Sequence, residues 1–245
     1  MDVQQRPVVV DKPYAISEII PDTPDVTVFK FKSQDGTKLA FDPGMFVMLG
    51  YHDDATKERI ARAFSIASLP NSDTLEFYIS MIHGRFTSKL DTAKVGDIYY
   101  VSGPHGQFKF SPAQDKKVLF IAGGTGLAPF MSMLKEIKEQ GSDNDVVLLY
   151  SVRHASEIIR KAELEQLGME LGIKTFITVT RPQENSEGWQ GETGHIDQGM
   201  IRRLSPDLLE RQSYICGPLG FVKAVKEALL ALNLPEEKIK ADVWG

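Results

Sequence analysis

The chain has 245 residues, 42% hydrophobic and 25% charged, with 20 Gly, 13 Pro and a single Cys. At roughly 100–200 residues per domain this length is one large or two modest domains, and the balance of apolar and charged residues excludes disordered and fibrous classes. A net charge of −5 argues against a nucleic-acid binder, which needs clustered Lys and Arg, and one Cys rules out an intrachain disulfide framework or a Cys-ligated zinc or iron–sulfur centre within these residues. No apolar stretch approaches the roughly 20 residues of a membrane span, and residues 1–13 lack a signal-peptide core, so a cytoplasmic protein is expected. The five His (His52, His83, His105, His154 and His195) are scattered and do not predict a metal site.

From Tyr14 to about Phe110 the chain offers short β-rich segments separated by turn signals. Residues 26–31 alternate apolar and polar positions and end at Ser33-Gln-Asp-Gly36, a turn signal. Further strands are expected at 45–51, 63–67, 75–81 and 98–102, and one short helix at 86–91. Closely spaced strands with a single helix predict a small antiparallel barrel. After Phe110 the rhythm changes. Apolar strands at 118–122, 146–150, 174–179 and 214–216 alternate with helical patterns at 128–139, 155–171 and 219–232, which predicts a parallel sheet wound on both faces. The boundary is placed so that residues 1–112 form the first domain and 113–245 the second.

The sharpest local motif is VLFIAGGTGLAPF at 118–130: an apolar strand, then Gly123-Gly124-Thr125-Gly126, then a helix opening near Pro129. Glycines permit positive φ and a close backbone approach, and the free N–H groups of a helix start favour a phosphate. Gly124, Gly126 and Pro129 fall on the three key positions of the dinucleotide G-x-G-x-x-G pattern, with Pro in the third. A structural turn satisfies the same residues.

Three more motifs stand in order around this loop: RAFSIAS at 62–68, GRFTSKL at 84–90 and YICGPLGFV at 214–222. Together the four resemble the ferredoxin–NADP reductase superfamily of flavin- and pyridine-nucleotide-dependent oxidoreductases, over nearly the whole chain. The resemblance implies FAD in the barrel and NADPH or NADH on the second domain. In it, Arg62 meets the flavin pyrophosphate, Phe64 (usually Tyr) packs on the flavin ring and Ser65 approaches flavin N5. Tyr78, Ile79 and Ser80 form the strand under the flavin, with contacts made largely through backbone. Gly84, Arg85, Phe86, Thr87 and Ser88 open a helix onto the flavin diphosphate, with Thr87 or Ser88 as cap. GPHGQF at 103–108 is a structural turn near the domain junction. Gly124, Thr125 and Gly126 hold the nucleotide phosphates. Cys216 lies beside the nicotinamide, and Gly217 and Pro218 shape its pocket. Asp242 takes the place of the usual Glu, one methylene shorter, and Trp244 covers the flavin face opposite Phe64. Ser65, Cys216 and Asp242 are the candidate catalytic residues.

The arginines favour NADPH as coenzyme, with NADH possible. Arg153 and Arg181, at two strand ends beside the phosphate loop, suit the 2′-phosphate of NADPH, whereas Glu157 suits the ribose 2′-hydroxyl of NADH. Trp189, Gly191 and Gly194 line the adenine side or merely shape a loop. The function implied is an FAD-dependent NAD(P)H reductase that passes electrons to a one-electron acceptor: ferredoxin, flavodoxin or an oxygenase component. Lys30, Lys32, Lys38, Lys57 and Arg59 are candidates for a basic patch facing an acidic carrier. The alternative is a non-catalytic electron-transfer subunit of a larger redox complex.

Overall fold

The computed structural model describes residues 6–53, 55–184 and 188–244, with only the backbone of Trp244. The first sheet is built from β1 (Val9–Thr23), β2 (Val26–Ser33), β3 (Phe46–His52), β4 (Arg59–Ser65) and β5 (Thr74–Ser80), and, after the short helix α1 (Arg85–Leu90), β6 (Ile98–His105). Its order is β4-β3-β6-β1-β2-β5, and every pairing is antiparallel. The edge strands β4 and β5 come together, so the sheet curls into a barrel with one unpaired seam. Inward positions such as Phe29, Phe31, Val47, Leu49, Phe77 and Val101 fill the interior, as the period-2 alternation of strands requires.

Two boundaries differ from the sequence reading. The strand expected at 63–67 ends at Ser65, because the chain turns out of the sheet: the Ile66 N–H donates to Met45 O and the Ala67 N–H to Glu76 O. The first strand runs from Val9 to Thr23. It continues through Pro13 and Pro21 and bends where its register with β2 shifts, between Ile16 and Glu18 and between Pro21 and Thr23.

The second sheet is parallel throughout. It contains β7 (Lys117–Gly123), α2 (Leu127–Glu139), β8 (Asp145–Val152), α3 (Lys161–Leu171), β9 (Lys174–Val179), β10 (Glu192–Thr193), α4 (Gln198–Leu204), β11 (Gln212–Pro218), α5 (Leu219–Ala231) and β12 (Ile239–Trp244). The order is β10-β9-β8-β7-β11-β12. Successive β7 residues serve opposite faces. Val118, Phe120 and Ala122 pack with Phe130, Leu134, Leu164 and Leu167 of α2 and α3, while Leu119 and Ile121 pack with Ile201, Val222, Val225 and Leu229 of α4 and α5. The sheet is therefore doubly wound, and its order reverses between β7 and β11, the place where such sheets bind ligands.

The helix expected from residue 155 starts later, at Lys161. Ala155–Glu157 form one 3₁₀ turn, Ile158 and Ile159 are buried out of helical phase, and Arg160 adopts φ 49°. The core across α2 also takes in Val26, Val28, Ala67, Tyr78, Phe108 and Phe110 from the chain before residue 113, so one continuous apolar cluster joins the two sheets. Phe108, at the end of the expected turn, packs edge-on against Phe130 and Tyr214 at centroid distances of 6.0 and 5.4 Å.

Candidate functional site

At the end of β7 the chain enters a 3₁₀ turn, Gly124–Gly126, and passes directly into α2. Gly124 has φ +55°, which favours Gly, and a Cβ built on it meets open space. Gly126 is needed for packing: a Cβ there would collide with the carbonyl of Cys216. The phosphate loop is thus pressed onto the end of β11, with Phe221 laid across Gly123 and Gly217, where any Cβ would come within 2.9 and 2.8 Å of its ring. Pro129 sits in the first turn of α2, where no intrahelical donor is lost.

These strand ends line a cleft of about 600 Å³. Gly124, Thr125, Ser151, Arg153, Thr180 and Pro218 come from the parallel sheet, and Thr23, Asp25, Val26 and Ser80 close it from the barrel side. The N–H groups at the start of α2 and the glycine turn face an opening of nucleotide size, so the residues fit a pyridine dinucleotide. Arg153 and Arg181 stand at the ends of β8 and β9 as expected, but each meets carboxylates. Arg153 lies 3.5 Å from Glu157 and 3.9 Å from Asp25, and Arg181 lies 3.8 Å from Glu184. Glu157, only 18% exposed, also accepts the Arg153 N–H at 3.3 Å. Trp189 donates from its indole to Glu192 O and folds over Gly191, so it shapes its loop.

The three candidate catalytic residues lie near the ends of β4, β11 and β12, with Cys216 two residues before Pro218 of the cleft lining. Cys216 and Asp242 are register partners on the adjacent parallel strands β11 and β12. The Cys216 Sγ lies 4.0 Å from Asp242 Oδ2. Ser65, at the last position of β4, lies near the same carboxylate from the other sheet, and its hydroxyl favours the charged form. Asp242 therefore stands beside both residues despite its missing methylene. Burial, and then the charge of Asp242, push the Cys216 thiol well above its ordinary value, so at neutral pH it is a thiol. Burial also raises the Asp242 carboxyl, against the Val243 N–H and the Ser65 hydroxyl, which favour its charged form.

On the barrel side, the seam between β4 and β5 leaves one backbone edge of each strand unpaired. Arg62 is exposed there. Its guanidinium donates to the Ala61 carbonyl and makes no ion pair among the described residues. Phe64 is half-buried, its ring 5.5 Å from Phe86 and 6.2 Å from Phe77, which leaves part of it open. Unpaired strand edges, a free guanidinium and a partly open aromatic ring suit a flavin and its phosphates.

The remaining residues divide differently from the expectation. Tyr78 and Ile79 turn their side chains into the inter-sheet core and the barrel core respectively, so only their backbone is available at the seam, whereas Ser80 borders the cleft. The Thr87 hydroxyl is spent on its own helix start, accepting the Gly84 N–H at 2.9 Å and donating to Gly84 O. Phe86 is buried against Tyr51, and Arg85 pairs with Glu58 at 2.9 Å. Of GRFTS, only the exposed Ser88 and the first-turn N–H groups remain for a ligand. Lys30, Lys38 and Arg59 are paired with Glu18, Asp73 and Asp11, so the suggested basic patch is largely neutralised. The Trp244 backbone pairs with Pro218, but its side chain lies outside the described residues.

An antiparallel barrel open at one seam, set against a doubly wound sheet with a glycine turn at its switch point, defines a flavin- and pyridine-nucleotide-binding oxidoreductase. Residues 14–110 match the oxidoreductase FAD-binding domain family and residues 120–227 the oxidoreductase NAD-binding domain family. Glycine betaine monooxygenase reductase subunits are similar: that of Chromohalobacter salexigens is 33% identical over 86% of this chain and 58% of its own, and that of Pseudomonas aeruginosa 32% over 93% and 63%. A solved ferredoxin reductase in carbazole 1,9a-dioxygenase superposes with TM-score 0.82 at 27% identity, covering 98% of this chain and 70% of that one. The chain belongs to the ferredoxin–NADP reductase superfamily and carries its FAD- and NAD-binding domains. It spans about three-fifths of the length of these two curated relatives.

Thr23 and Asp25 stand in no sequence motif, and Asp25 meets Arg153 far along the chain, so no local spacing announces them. No helix among the described residues is long and apolar enough to cross a membrane.

Proposed function

We propose that the protein is an FAD-dependent NADH reductase that delivers electrons one at a time to an oxygenase component. We divide it into a flavin domain, residues 1–112, and a nucleotide domain, residues 113–245. The observation that carries the reading is the approach of Ser65, from the barrel, to Cys216 and Asp242, from the parallel sheet, with Cys216 two residues before Pro218 of the nucleotide cleft. Bound FAD supplies the two-electron to one-electron conversion, a chemistry no side chain of this chain performs.

The protein's own part is placement. Gly124–Gly126 and the α2 start hold the nucleotide phosphates, and Arg62 and the α1 turn hold those of the flavin. The buried Cys216 thiol forms one wall of the ring pocket, while the Ser65 hydroxyl and Asp242 carboxylate present a polar pair at the place where hydride and proton must be managed. The oxygenase reading is supported by the monooxygenase reductase subunits among the relatives. A cytoplasmic setting suits the single buried thiol.

Against the expectation of NADPH, we favour NADH because Glu157 and Asp25 flank Arg153. A 2′-phosphate there would face two carboxylates, whereas a ribose 2′-hydroxyl would find an acceptor in Glu157. The test is the ratio of kcat/KM for NADH to that for NADPH with an artificial one-electron acceptor. The expected ratio exceeds about tenfold, and Glu157→Gln narrows it by weakening NADH, a loss of about 1–2 kcal/mol. Equal or better use of NADPH by the unaltered protein contradicts the preference. No turnover with either nucleotide contradicts the reductase.

A further inference from the structure

Away from the cleft, one ammonium group ties the helix that begins at the phosphate loop to edge strand β5 and to the segment that leaves edge strand β4. Lys135, on α2, is 16% exposed. Its Nζ donates to the Ala67 carbonyl at 3.0 Å and lies 3.3 Å from Glu76 Oε1 and 3.0 Å from Glu163 Oε1. Ala67 is two residues beyond Ser65, and Glu76, nearly buried, lies on β5 two residues before Tyr78. The Ala67 N–H donates to the Glu76 carbonyl at 2.8 Å. The segment after Ser65 is therefore gripped by backbone on one side and by Lys135 on the other. Glu163 is itself bound by Arg160 at 2.7 Å, and the Arg160 N–H donates to Asp22 of β1 at 2.7 Å. Burial pushes the Glu163 carboxyl up, but Lys135 and then Arg160 outweigh it and hold it ionised.

An ammonium has three donors, and here it meets three acceptors, on β5, on α3 and on the segment that follows β4. A desolvated ion pair is a poor source of stability, since packed apolar residues would join the halves as well. What it supplies is one fixed placement, because three acceptors define where Nζ must stand. Apolar contacts between α2 and the barrel would tolerate sliding that this arrangement does not.

We infer that Lys135 is a positioning residue that sets where Ser65 stands relative to Cys216 and Asp242, and hence how the two ring seats face each other. This rests on the reductase reading above. The test compares the FAD-loaded unaltered protein with Lys135→Met and Lys135→Arg. It measures the limiting rate of flavin reduction, the NADH concentration giving half that rate, the FAD content and amide hydrogen exchange over residues 65–68. In Lys135→Met the limiting rate falls about tenfold, FAD content and half-saturation stay within about twofold, and exchange over 65–68 quickens about tenfold. Lys135→Arg, which keeps the charge and the donors, restores both. An unchanged limiting rate, or unchanged exchange over 65–68, overturns the inference. Should Lys135→Met fail to fold, Glu76→Gln is read by the same criteria. The exchange arm needs no turnover, so a protein that no nucleotide reduces contradicts the reductase reading while the clamp is still tested.

Discussion

Three side chains of different chemistry lie near the ends of β4, β11 and β12, and the environment of each bears on its proposed role. Cys216 is fully buried, and its thiol is held protonated by burial and by the neighbouring carboxylate, so the role we propose for it is that of a compact polarizable packing group and not a nucleophile. Removing its sulfur or the Ser65 hydroxyl disturbs alignment without touching the anchors of the flavin. Cys216→Ala and Ser65→Ala should each slow NADH-driven flavin reduction about ten- to a hundredfold, with FAD retained through gel filtration. Stopped-flow rates within twofold of the unaltered protein would remove these residues from the reaction. Asp242 carries a second consequence. Its carboxyl titrates higher in the folded protein than in the unfolded chain, because burial opposes its charge. The folded state thus holds its proton longer, and stability declines as pH rises from the ordinary aspartate range through the raised value. Asp242→Asn has no such decline. Its Tm, measured across that window, should gain on the unaltered protein and keep the gain above it, while activity falls. Parallel Tm curves would show that the carboxyl is not perturbed.

At the scale of elements, the β11 end tolerates little change. Gly126 lets α2 begin against the Cys216 carbonyl, and the same strand holds the thiol in register with Ala122 on one side and Asp242 on the other. At its opposite end Arg211, 1% exposed, ties three strands together. It donates to the Val118 and Asp145 carbonyls and to the carboxylates of Asp145 and Asp207, at 2.8–3.1 Å. Hydrogen bonds from Arg211 hold the Asp207 carboxyl well below the usual range, so this contribution is present above the ordinary aspartate range and lost only in strong acid. Arg211→Ala removes a buried donor from two carbonyls and two carboxylates, leaving Lys117 at 2.8 Å from Asp207 and 4.0 Å from Asp145. It should destabilise by about 3 kcal/mol, the lower end for a broken buried pair because Asp145 keeps access to water. Urea unfolding reads this directly, and a loss below about 1 kcal/mol would mark the network as dispensable.

In the whole molecule, two sheets share an aromatic and aliphatic cluster. Phe108 and Phe110 reach across to Phe120, Phe130 and Tyr214, so the barrel and the parallel sheet meet through packed rings. Much of this plan could be read along the chain. GGTGLAP, GRFTSKL and CGP each combine a glycine or proline that bends the backbone with the element that follows, and such local signals survive without tertiary context. The convergence of Ser65 with Asp242 was legible only through family resemblance, since their meeting depends on how two sheets pack. Lys135 and Glu76 are 59 residues apart, and neither stands in a motif, so their pairing could not be seen. The same holds for the late start of α3, where the buried Ile158 and Ile159 override a helical pattern for the sake of core packing.

On the proposed reading, the barrel seam and the cleft hold FAD and NADH as partners in one reaction. An anaerobic titration of the purified FAD-loaded protein with NADH, followed through the visible flavin absorbance, distinguishes this from separate binding. The flavin band is expected to bleach with one NADH per flavin and to return when an artificial one-electron acceptor is added. A flavin band that NADH leaves unchanged, in protein shown to bind the nucleotide, would contradict it.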